Sequence, residues 1–452
     1  MKPLKVLHLC HNHPALHPGG TEIFALDLHR QMNASGEVEG MFIGCVDENH
    51  RRQRPGTVFQ GIGPNSNEML MWTGHFDNFY LSQIDLHGIV PELTDLLTEM
   101  KPDIVHFHHI LLMGVEILFL VRRVLPKAKI VMSLHDYYSI CAHDGQMITT
   151  QERRLCHQAS PDACHRCFKQ LEPEQFVLRE RHIKTHFSVV DRFLAPSNFL
   201  RRRYIGWGLA ADRIEVLRNA RPDPEIVPHR TLKNGEHRGN FAYFGNLNPN
   251  KGVLILLEAA RLLNQRHPNA FRVDIHGGAP FQSEAFKADL AAALARVEGI
   301  ASWHGAYQAP EMANLLRHTD WMVIPSIWWE NAPLVIDEAF AQARPVITSD
   351  LGGMAESVRH DIDGLTFRPG DAAALADAME RALLEPDLWG KLVSGIKPHR
   401  TLEDCAAEHL AAYRALLAPP KPVAKVSVAA LSKSKPIRGI SKAERGVSHA
   451  GR

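Results

Sequence analysis

Short apolar runs alternate with amphipathic stretches along the first half of the chain. The apolar runs predict β-strands at Val6–Leu9, Met41–Val46, Ile104–Phe107, Ile130–Leu134, Phe193–Pro196 and Glu215–Leu217. Between them, apolar residues recur at helical spacing in Glu22–Met32 and Val90–Met100. Strands that alternate with helices in this way are typical of a parallel, doubly wound sheet.

The second half of the chain repeats this alternation. Its apolar runs predict strands at Phe241–Phe244, Val273–His276, Trp303–Gly305, Trp321–Pro325, Val346–Thr348 and Leu365–Phe367. A segment rich in proline and charge, RPDPEIVPHRTLKNGEHRG, separates the halves and is typical of a linker. We therefore predict an α/β fold with two Rossmann-like domains, 1–222 and 223–400, that face a ligand cleft at the C-terminal ends of their strands.

Length and composition agree with two soluble domains. A chain of 452 residues is too long for one ordinary core and fits two domains of roughly 200 residues each. The longest apolar run, Ile110–Val121, contains Glu116 and predicts a buried helix rather than a membrane span. The first residues predict a strand rather than a signal peptide. We expect a cytoplasmic protein, either free or peripheral at the inner face of the membrane.

Two regions are strongly basic. Residues 421–452 carry eight Lys or Arg against one acid, Glu444, which predicts a disordered tail or a tether to acidic lipid or nucleic acid. A second basic region forms either a solvated face or a site of peripheral membrane contact, and comprises Arg179, Arg181, Lys184 and Arg201–Arg203. The rest of the chain shows no sign of nucleic-acid recognition.

Two glutamates bracket a predicted strand-to-helix turn. The strand Trp321–Pro325 is followed by Glu330, by Asn331 as a possible cap and by Pro333, which suits a first helical residue. Glu338 follows in the second helical turn. Such a turn presents backbone N–H groups and a positive helix end to an anion, and its carboxylates suit a ligand with many hydroxyl groups.

Three other loops carry candidate chemistry. Lys251 precedes Gly252 where a helix begins, so it is placed to neutralise a diphosphate. Gly19 and Gly20 follow the first strand and allow close approach of the backbone to a phosphate. His135 follows a buried strand. Two groups of histidines are candidates to line the cleft or, less favourably, to hold a metal: His11, His13 and His17, and His106, His108 and His109.

Four cysteines lie close together in the sequence, directly after His135. They follow the pattern Cys-x14-Cys-x7-Cys-x2-Cys and comprise Cys141, Cys156, Cys164 and Cys167. Four thiolates suit a tetrahedral structural zinc ion. The alternative is that these cysteines are free or disulfide-bonded.

Five segments, taken together and in this order, resemble the motifs of retaining GT-B glycosyltransferases of family 4. They are HNHPALHPGGTE (11–22), LHDYYSIC (134–141), APSNFLRRRYIGWGLAADRIEVLRNA (195–220), YFGNLNPNKGVLILLEAA (243–260) and the Glu-x7-Glu region within 325–370. The cysteine group resembles an insertion seen in some members of that family, here at about 141–167. The resemblance also implies that a helix at 401–420 crosses back onto the first domain.

The resemblance implies retaining transfer of a sugar from a nucleotide sugar to a saccharide or lipid-linked acceptor, in glycan or cell-envelope polysaccharide synthesis. Glu330, His135 and Lys251 would be the catalytic residues, and no cofactor would be required for catalysis. The donor would be bound by the C-terminal domain and the acceptor by the N-terminal domain. The implied donor-binding residues are Gly19, Gly20, Asn246, Gly277, Asn331, Ala332, Pro333, Leu334 and Glu338.

Two alternatives stay open, and a departure from the family pattern motivates the first of them. Asn246 stands where family 4 enzymes usually have an Arg, and it can donate a hydrogen bond but carries no charge. Arg218 and Arg344 are candidates to supply that charge. The alternatives are a non-catalytic GT-B protein that binds nucleotide sugars and a GT-B nucleotide-sugar epimerase.

Overall fold

The computed structural model describes residues 2–280, 282–308 and 311–419, so the predicted basic tail lies outside the described residues. The first half contains β1 (Leu4–Cys10), α1 (Gly20–Ala34), β2 (Val38–Val46), β3 (Phe59–Gly61), β4 (Glu68–Trp72), β5 (Phe76–Asp77), β6 (Ser82–Gln83), α2 (Leu86–Met100), β7 (Ile104–Phe107), α3 (Glu116–Val124), β8 (Lys129–Ser133), α4 (Pro161–Cys167), α5 (Pro173–Phe187), β9 (Arg192–Ala195), α6 (Asn198–Trp207) and β10 (Ile214–Val216). The second half contains β11 (Asn240–Phe244), α7 (Val253–Arg266), β12 (Arg272–His276), α8 (Glu284–Ala295), β13 (Ala301–Gly305), α9 (Met312–Leu316), β14 (Trp321–Ile324), α10 (Leu334–Ala341), β15 (Val346–Ser349), α11 (Gly352–Ser357), β16 (Gly364–Phe367), α12 (Ala372–Leu384), α13 (Leu388–Gly395) and α14 (Leu402–Leu417).

Eight strands of the first half form one sheet, in the order β10-β9-β8-β7-β1-β2-β4-β3. Neighbouring strands are parallel except for the edge pair β3 and β4. The central strand β1 is covered on both faces, because Val6, Leu7, Leu9 and Cys10 are fully buried. Such strands are expected where helices cover both sides of a parallel sheet.

Six strands of the second half form a second sheet, in the order β13-β12-β11-β14-β15-β16, and all its pairs are parallel. Its core includes Phe241, Val323 and Ile347 on neighbouring strands. Because the strands of each sheet run in one direction, the loops that follow them gather at one edge. This edge is where open α/β sheets bind ligands.

Every predicted strand overlaps an observed strand, and the prediction of two parallel-sheet α/β halves is confirmed. The sequence patterns missed β3 to β6, several of which are only two or three residues long. The predicted helix at Ile110–Val121 is partly wrong, because α3 begins only at Glu116. Leu112 and Gly114 have φ angles of 63° and 91°, and this left-handed backbone prevents an earlier start.

The linker binds to the second half of the chain, whereas the last helix contacts the first half. Residues 221–239 contain no helix or strand, and Arg230 and Arg238 bind Asp320 of the second half at 2.9 and 3.0 Å. Helix α14 contacts the first half, because the Tyr413 hydroxyl lies 2.6 Å from His106 Nδ1. Within the described residues, no helix is both long and apolar enough to span a membrane.

Candidate functional site

One cavity of about 480 Å³ lies where the C-terminal ends of both sheets meet. Its N-terminal wall is formed by the first half and comprises Gly20, Thr21, His135, Asp136, Pro196 and Asn219. Its C-terminal wall is formed by the second half and comprises Tyr243–Asn246, Lys251, Tyr307, Ile324, Ser326, Trp328 and 330–335. The cavity therefore brings together nine of the residues implied by the family resemblance: Gly20, His135, Asn246, Lys251, Glu330, Asn331, Ala332, Pro333 and Leu334.

Lys251 and Glu330 form an ion pair on the C-terminal wall. Lys251 Nζ donates to Glu330 Oε1 at 2.6 Å, and the Ser326 hydroxyl donates to the same oxygen at 3.0 Å. The Glu330 side chain is 8% exposed, whereas that of Lys251 is 34% exposed. Lys251 is therefore accessible to a ligand, while the buried Glu330 carboxylate fixes the position of the Lys251 ammonium group.

Local geometry around Gly252 brings Lys251 to this wall. Asn248 caps the short turn before Lys251 by accepting from the Asn250 and Lys251 N–H groups. Gly252 has φ +74°, and a Cβ there would lie 1.9 Å from the Pro325 carbonyl oxygen. Only glycine permits this close approach of the Lys251 loop to the end of β14.

The start of α10 forms the floor of the C-terminal wall. Pro333 is the N-cap and Leu334 the first helical residue, so the prediction that Pro333 begins the helix is off by one residue. The first N–H groups of a helix have no partner within it, and they carry partial positive charge. Their position in the cavity beside Lys251 favours an anionic ligand group.

His135 and Asn331 connect the two walls and leave two polar atoms free. Asn331 Nδ2 donates to the His135 carbonyl oxygen at 2.7 Å. Among the described residues, His135 Nε2 and Asn331 Oδ1 are buried without a hydrogen-bond partner. Burial lowers the pKa of His135 to about 3, so its imidazole is neutral at pH 7. Asn331 Oδ1 can accept a hydrogen bond from a ligand hydroxyl group, and His135 Nε2 can accept or donate one according to its tautomer.

Two histidine–carboxylate pairs support the N-terminal wall, and sequence reasoning missed both. His11 Nε2 lies 2.9 Å from Glu22 Oε1, and His109 Nε2 lies 2.7 Å from Asp136 Oδ2. Burial opposes ionisation of Asp136, but His109, the Tyr138 N–H group and His11 together outweigh it and lower the pKa of Asp136 to about 2. Each of these two carboxylates is thus already engaged by a histidine side chain of the protein.

Three predicted donor-site residues do not line the cavity. Gly19 caps α1, where a Cβ would lie 2.4 Å from Glu22 Oε2. Gly277 packs behind the cavity, since a Cβ there would lie 1.8 Å from the Gly245 carbonyl oxygen. Glu338 lines a neighbouring cavity of about 430 Å³, where its Oε1 lies 3.5 Å from Arg221 Nε.

Tyr307 lines the main cavity and is close to the Glu338 carboxylate. Burial, followed by the nearby Glu338 carboxylate, raises the pKa of Tyr307 to about 12. Burial also raises the pKa of Glu338 itself, against the opposing effect of Arg221. Glu338 is therefore close to the cavity but is engaged by Arg221 in this structure.

Neither proposed substitute for the arginine missing at Asn246 reaches the cavity. Arg344 is fully buried, and its guanidinium donates to the carbonyl oxygens of Thr319, Gln342 and Leu316. Arg218 binds Asp337 at 3.2 Å and does not line the cavity. Lys251 is the one Lys or Arg among the described residues of the cavity wall.

Buried histidines form a core cluster beneath the N-terminal wall. His8, His106 and His108 are the group, among the described residues, whose ligand atoms lie within 4.8 Å of one another. Both nitrogens of His106 are already engaged, with Tyr413 at 2.6 Å and Ser133 at 2.8 Å. The predicted place of His106 and His108 in the cleft is wrong, because both are fully buried in this hydrogen-bonded core.

The four cysteines of the insertion are free thiols in the structure. Burial, followed by the nearby Cys141, Cys156 and Cys167, raises the pKa of Cys164 to about 11. No three of their sulfur atoms, all within the described part of the chain, lie within 4.8 Å of one another. The structural zinc ion remains a prediction.

Two family models match the chain one after the other. Residues 18–223 match the model described as Glycosyltransferase Family 4, and residues 238–385 match the model described as Glycosyl transferases group 1. D-inositol 3-phosphate glycosyltransferase of Nocardia farcinica is 31% identical over 222 residues, which are 47% of this chain and 49% of that protein. The chain spans less than two thirds of the length of the curated relatives that it matches.

Solved structures share the two-sheet architecture. Anabaena HepE in complex with UDP has a TM-score of 0.62 and 17% identity, over 90% of this chain and 100% of that one. Sucrose-phosphate synthase from Thermosynechococcus elongatus has a TM-score of 0.65 and 17% identity, over 91% of this chain and 99% of that one. At such identity the likeness shows the fold alone, which is GT-B.

Proposed function

Because the chain belongs to the family 4 type of the group 1 glycosyltransferases, we propose that it moves a sugar from a nucleotide-diphosphate sugar to a saccharide or lipid-linked acceptor. We further propose that the anomeric configuration is retained. The observation that carries this proposal is the cavity in which the Lys251–Glu330 pair, the start of α10 and His135 face one another.

The C-terminal wall suits the diphosphate and the donor sugar. Lys251 and the first N–H groups of α10 offer positive charge to the phosphates, which would draw Lys251 partly away from Glu330. The carboxylate of Glu330 would then accept hydrogen bonds from sugar hydroxyls. His135 Nε2 and Asn331 Oδ1, both unpaired within the described residues, would bind further hydroxyl groups.

The proposed reaction needs no protein nucleophile. The bond between the anomeric carbon and the phosphate oxygen breaks, and positive charge develops on the sugar ring. The acceptor hydroxyl forms its bond to the anomeric carbon on the same face, and its proton passes to the departing diphosphate. Lys251 and the α10 N–H groups stabilise the charge of that leaving group, while neutral His135 adds no positive charge beside the developing cation.

The proposal is tested by incubating the purified protein with a panel of UDP-, GDP- and ADP-sugars, with and without oligosaccharide acceptors. We expect one donor to release its nucleoside diphosphate, faster when a suitable acceptor is present. Isomerised nucleotide sugar formed without any acceptor would instead identify an epimerase.

A non-catalytic nucleotide-sugar-binding protein is the second candidate, and one observation favours it. Lys251 is the single cation on the described cavity wall, whereas Asn246 stands at the usual arginine position. This alternative predicts stabilisation by nucleoside diphosphates without turnover. Asn246→Arg would then create measurable transfer, whereas an active wild-type protein would exclude the alternative.

A further inference from the structure

The cysteine-bearing segment, residues 141–167, reaches from the first half to two loops of the second half. The Trp328 indole N–H donates to the Gln146 carbonyl oxygen, and that of Trp329 donates to the Cys156 carbonyl oxygen at 3.1 Å. The Arg153 guanidinium donates to Asn250 Oδ1 at 2.6 Å. The segment therefore contacts the loops that carry Glu330 and Lys251.

Trp329 is held on three sides by the first half. Its ring lies 4.3 Å from the Arg203 guanidinium carbon, which also lies 4.9 Å from the Phe199 ring. Arg203 donates in turn to the His157 carbonyl oxygen of the segment at 2.5 Å. The Trp329 carbonyl oxygen accepts from the Tyr137 hydroxyl at 3.2 Å. Arg203 is partly buried, and cation–π contacts become stronger as the cation loses contact with water.

Trp329 directly precedes Glu330, so its position sets the backbone from which that carboxylate projects. Glu330 N–H donates to the Trp328 carbonyl oxygen at 2.8 Å, which couples the two tryptophans to Glu330 in one tight turn. Among the described residues, the carboxylate itself accepts hydrogen bonds from the Lys251 and Ser326 side chains. Small displacements of a reacting group are costly, since about 1 Å can lower a rate by about 100-fold.

We propose that Trp329 and Arg203 are positioning residues for the transfer reaction, through which the cysteine-bearing segment fixes Glu330 opposite Lys251. This inference rests on the proposed function and adds that the segment acts on turnover rather than on nucleotide binding. Neither side chain lines the cavity. Both influence the reaction only through the backbone of the Glu330 loop.

The test compares two tryptophans in similar surroundings. Trp389 also donates its indole N–H to a carbonyl oxygen, that of Asp320 at 2.9 Å, and also lies over an arginine, Arg238, at 4.2 Å. It lies outside the cavity. Trp329→Phe and Trp389→Phe thus each remove one hydrogen bond from an indole N–H to a carbonyl oxygen, but only Trp329 is next to Glu330.

We expect Trp329→Phe to lower kcat about tenfold or more, with the Kd for the nucleoside diphosphate unchanged within about twofold. Trp389→Phe should leave both constants near wild type. Arg203→Met should reproduce the loss in kcat, whereas Arg203→Lys, which keeps the charge, should restore part of it. Equal kcat values for Trp329→Phe and Trp389→Phe, or a parallel loss of kcat and nucleotide affinity in Trp329→Phe, would overturn the proposal.

A measurement without turnover separates this inference from the proposed function. Hydrogen exchange of the backbone amides in residues 326–332 should speed up in Trp329→Phe and stay at the wild-type rate in Trp389→Phe. If the wild type proved inactive, faster exchange would still support the contact, and only the proposed function would fail. Unchanged exchange in Trp329→Phe would overturn the positioning role whatever the activity.

Discussion

The two walls of the cleft handle charge in opposite ways. On the C-terminal wall, Lys251 is one-third exposed, pairs with Glu330 and lines the same cavity as the start of α10. On the N-terminal wall, Asp136 is already paired with His109, and His135 is held neutral. Under the proposed function, the C-terminal wall would bind the anionic diphosphate, whereas the N-terminal wall would recognise hydroxyl groups.

Removing the cation of the C-terminal wall should have the largest effect. Lys251→Met should lower kcat/KM about 100- to 1,000-fold, because the leaving group loses its one charged partner among the described wall residues. The Kd for the nucleoside diphosphate should rise about tenfold or more. Titration calorimetry and steady-state rates measure the two effects. Lys287→Met, which removes an exposed lysine paired with Glu284, is the control, and equal affinities for the two variants would contradict the assignment of the diphosphate to this wall.

Removing the carboxylate of the same wall should separate turnover from nucleotide binding. Glu330→Gln should lower kcat about 10- to 100-fold, because hydrogen bonds to a charged acceptor are stronger than those to an amide. Nucleoside diphosphate affinity should stay near wild type, since the proposed partner of Glu330 is the sugar. A Kd that rises as much as kcat falls would place the nucleotide, not the sugar, beside Glu330.

Glu338 should have a smaller effect, confined to binding. If it holds the ribose hydroxyls, Glu338→Ala should weaken nucleoside diphosphate binding about tenfold. Ribose binding would also require Arg221 to release Glu338 from the contact in this structure. The neighbouring variant Asp337→Asn, which alters a residue bound by Arg218, controls for local disturbance. Wild-type affinity in Glu338→Ala would mean that the ribose lies elsewhere.

The histidines beneath the N-terminal wall should make stability depend on pH. Burial lowers the pKa values of His8, His106 and His108 well below 6.5, and it lowers those of His29 and His409, whose rings lie beside His8 and His106, to about 4. Below about pH 6.5 these histidines bind protons in the unfolded chain but stay neutral in the folded protein. The free energy of unfolding is therefore highest above that pH and decreases as the pH falls.

Urea unfolding measures this dependence. Between about pH 6 and pH 4.5, the free energy of unfolding should fall by more than about 1.4 kcal/mol per pH unit, which corresponds to uptake of more than one proton. His29→Gln combined with His409→Gln should reduce that slope. A slope of zero in the wild type would contradict the neutral state of the cluster.

The C-terminal wall could be predicted from the sequence because its groups lie in short, contiguous stretches. Lys251, Glu330 and Asn331 follow strands whose apolar runs are clear, and the loops after neighbouring parallel strands necessarily meet. The N-terminal wall depends on pairs that no local pattern reveals. His109 and Asp136 lie on different loops, and only the register of β7 beside β8 brings them together.

The same reason explains the other contacts that the sequence did not reveal. Trp329 and Cys156 are 173 positions apart, and Arg221 and Glu338 lie on the linker and on α10. Each contact depends on how the two halves pack, which periodicity and motif spacing do not specify. The motifs identified the ends of the strands correctly. They also predicted that Glu338 and Gly277 bind the donor, but in the structure these two residues adjoin the main cavity without lining it.

The stereochemistry of the product tests the central claim most directly. With the donor identified in the panel and a matching acceptor, proton NMR of the first product formed reports the anomeric configuration before any later change. We predict the configuration of the donor, because in the proposed reaction the acceptor hydroxyl passes its proton to the departing diphosphate, on the C-terminal wall, and therefore attacks from the same face. A product of inverted configuration would contradict it.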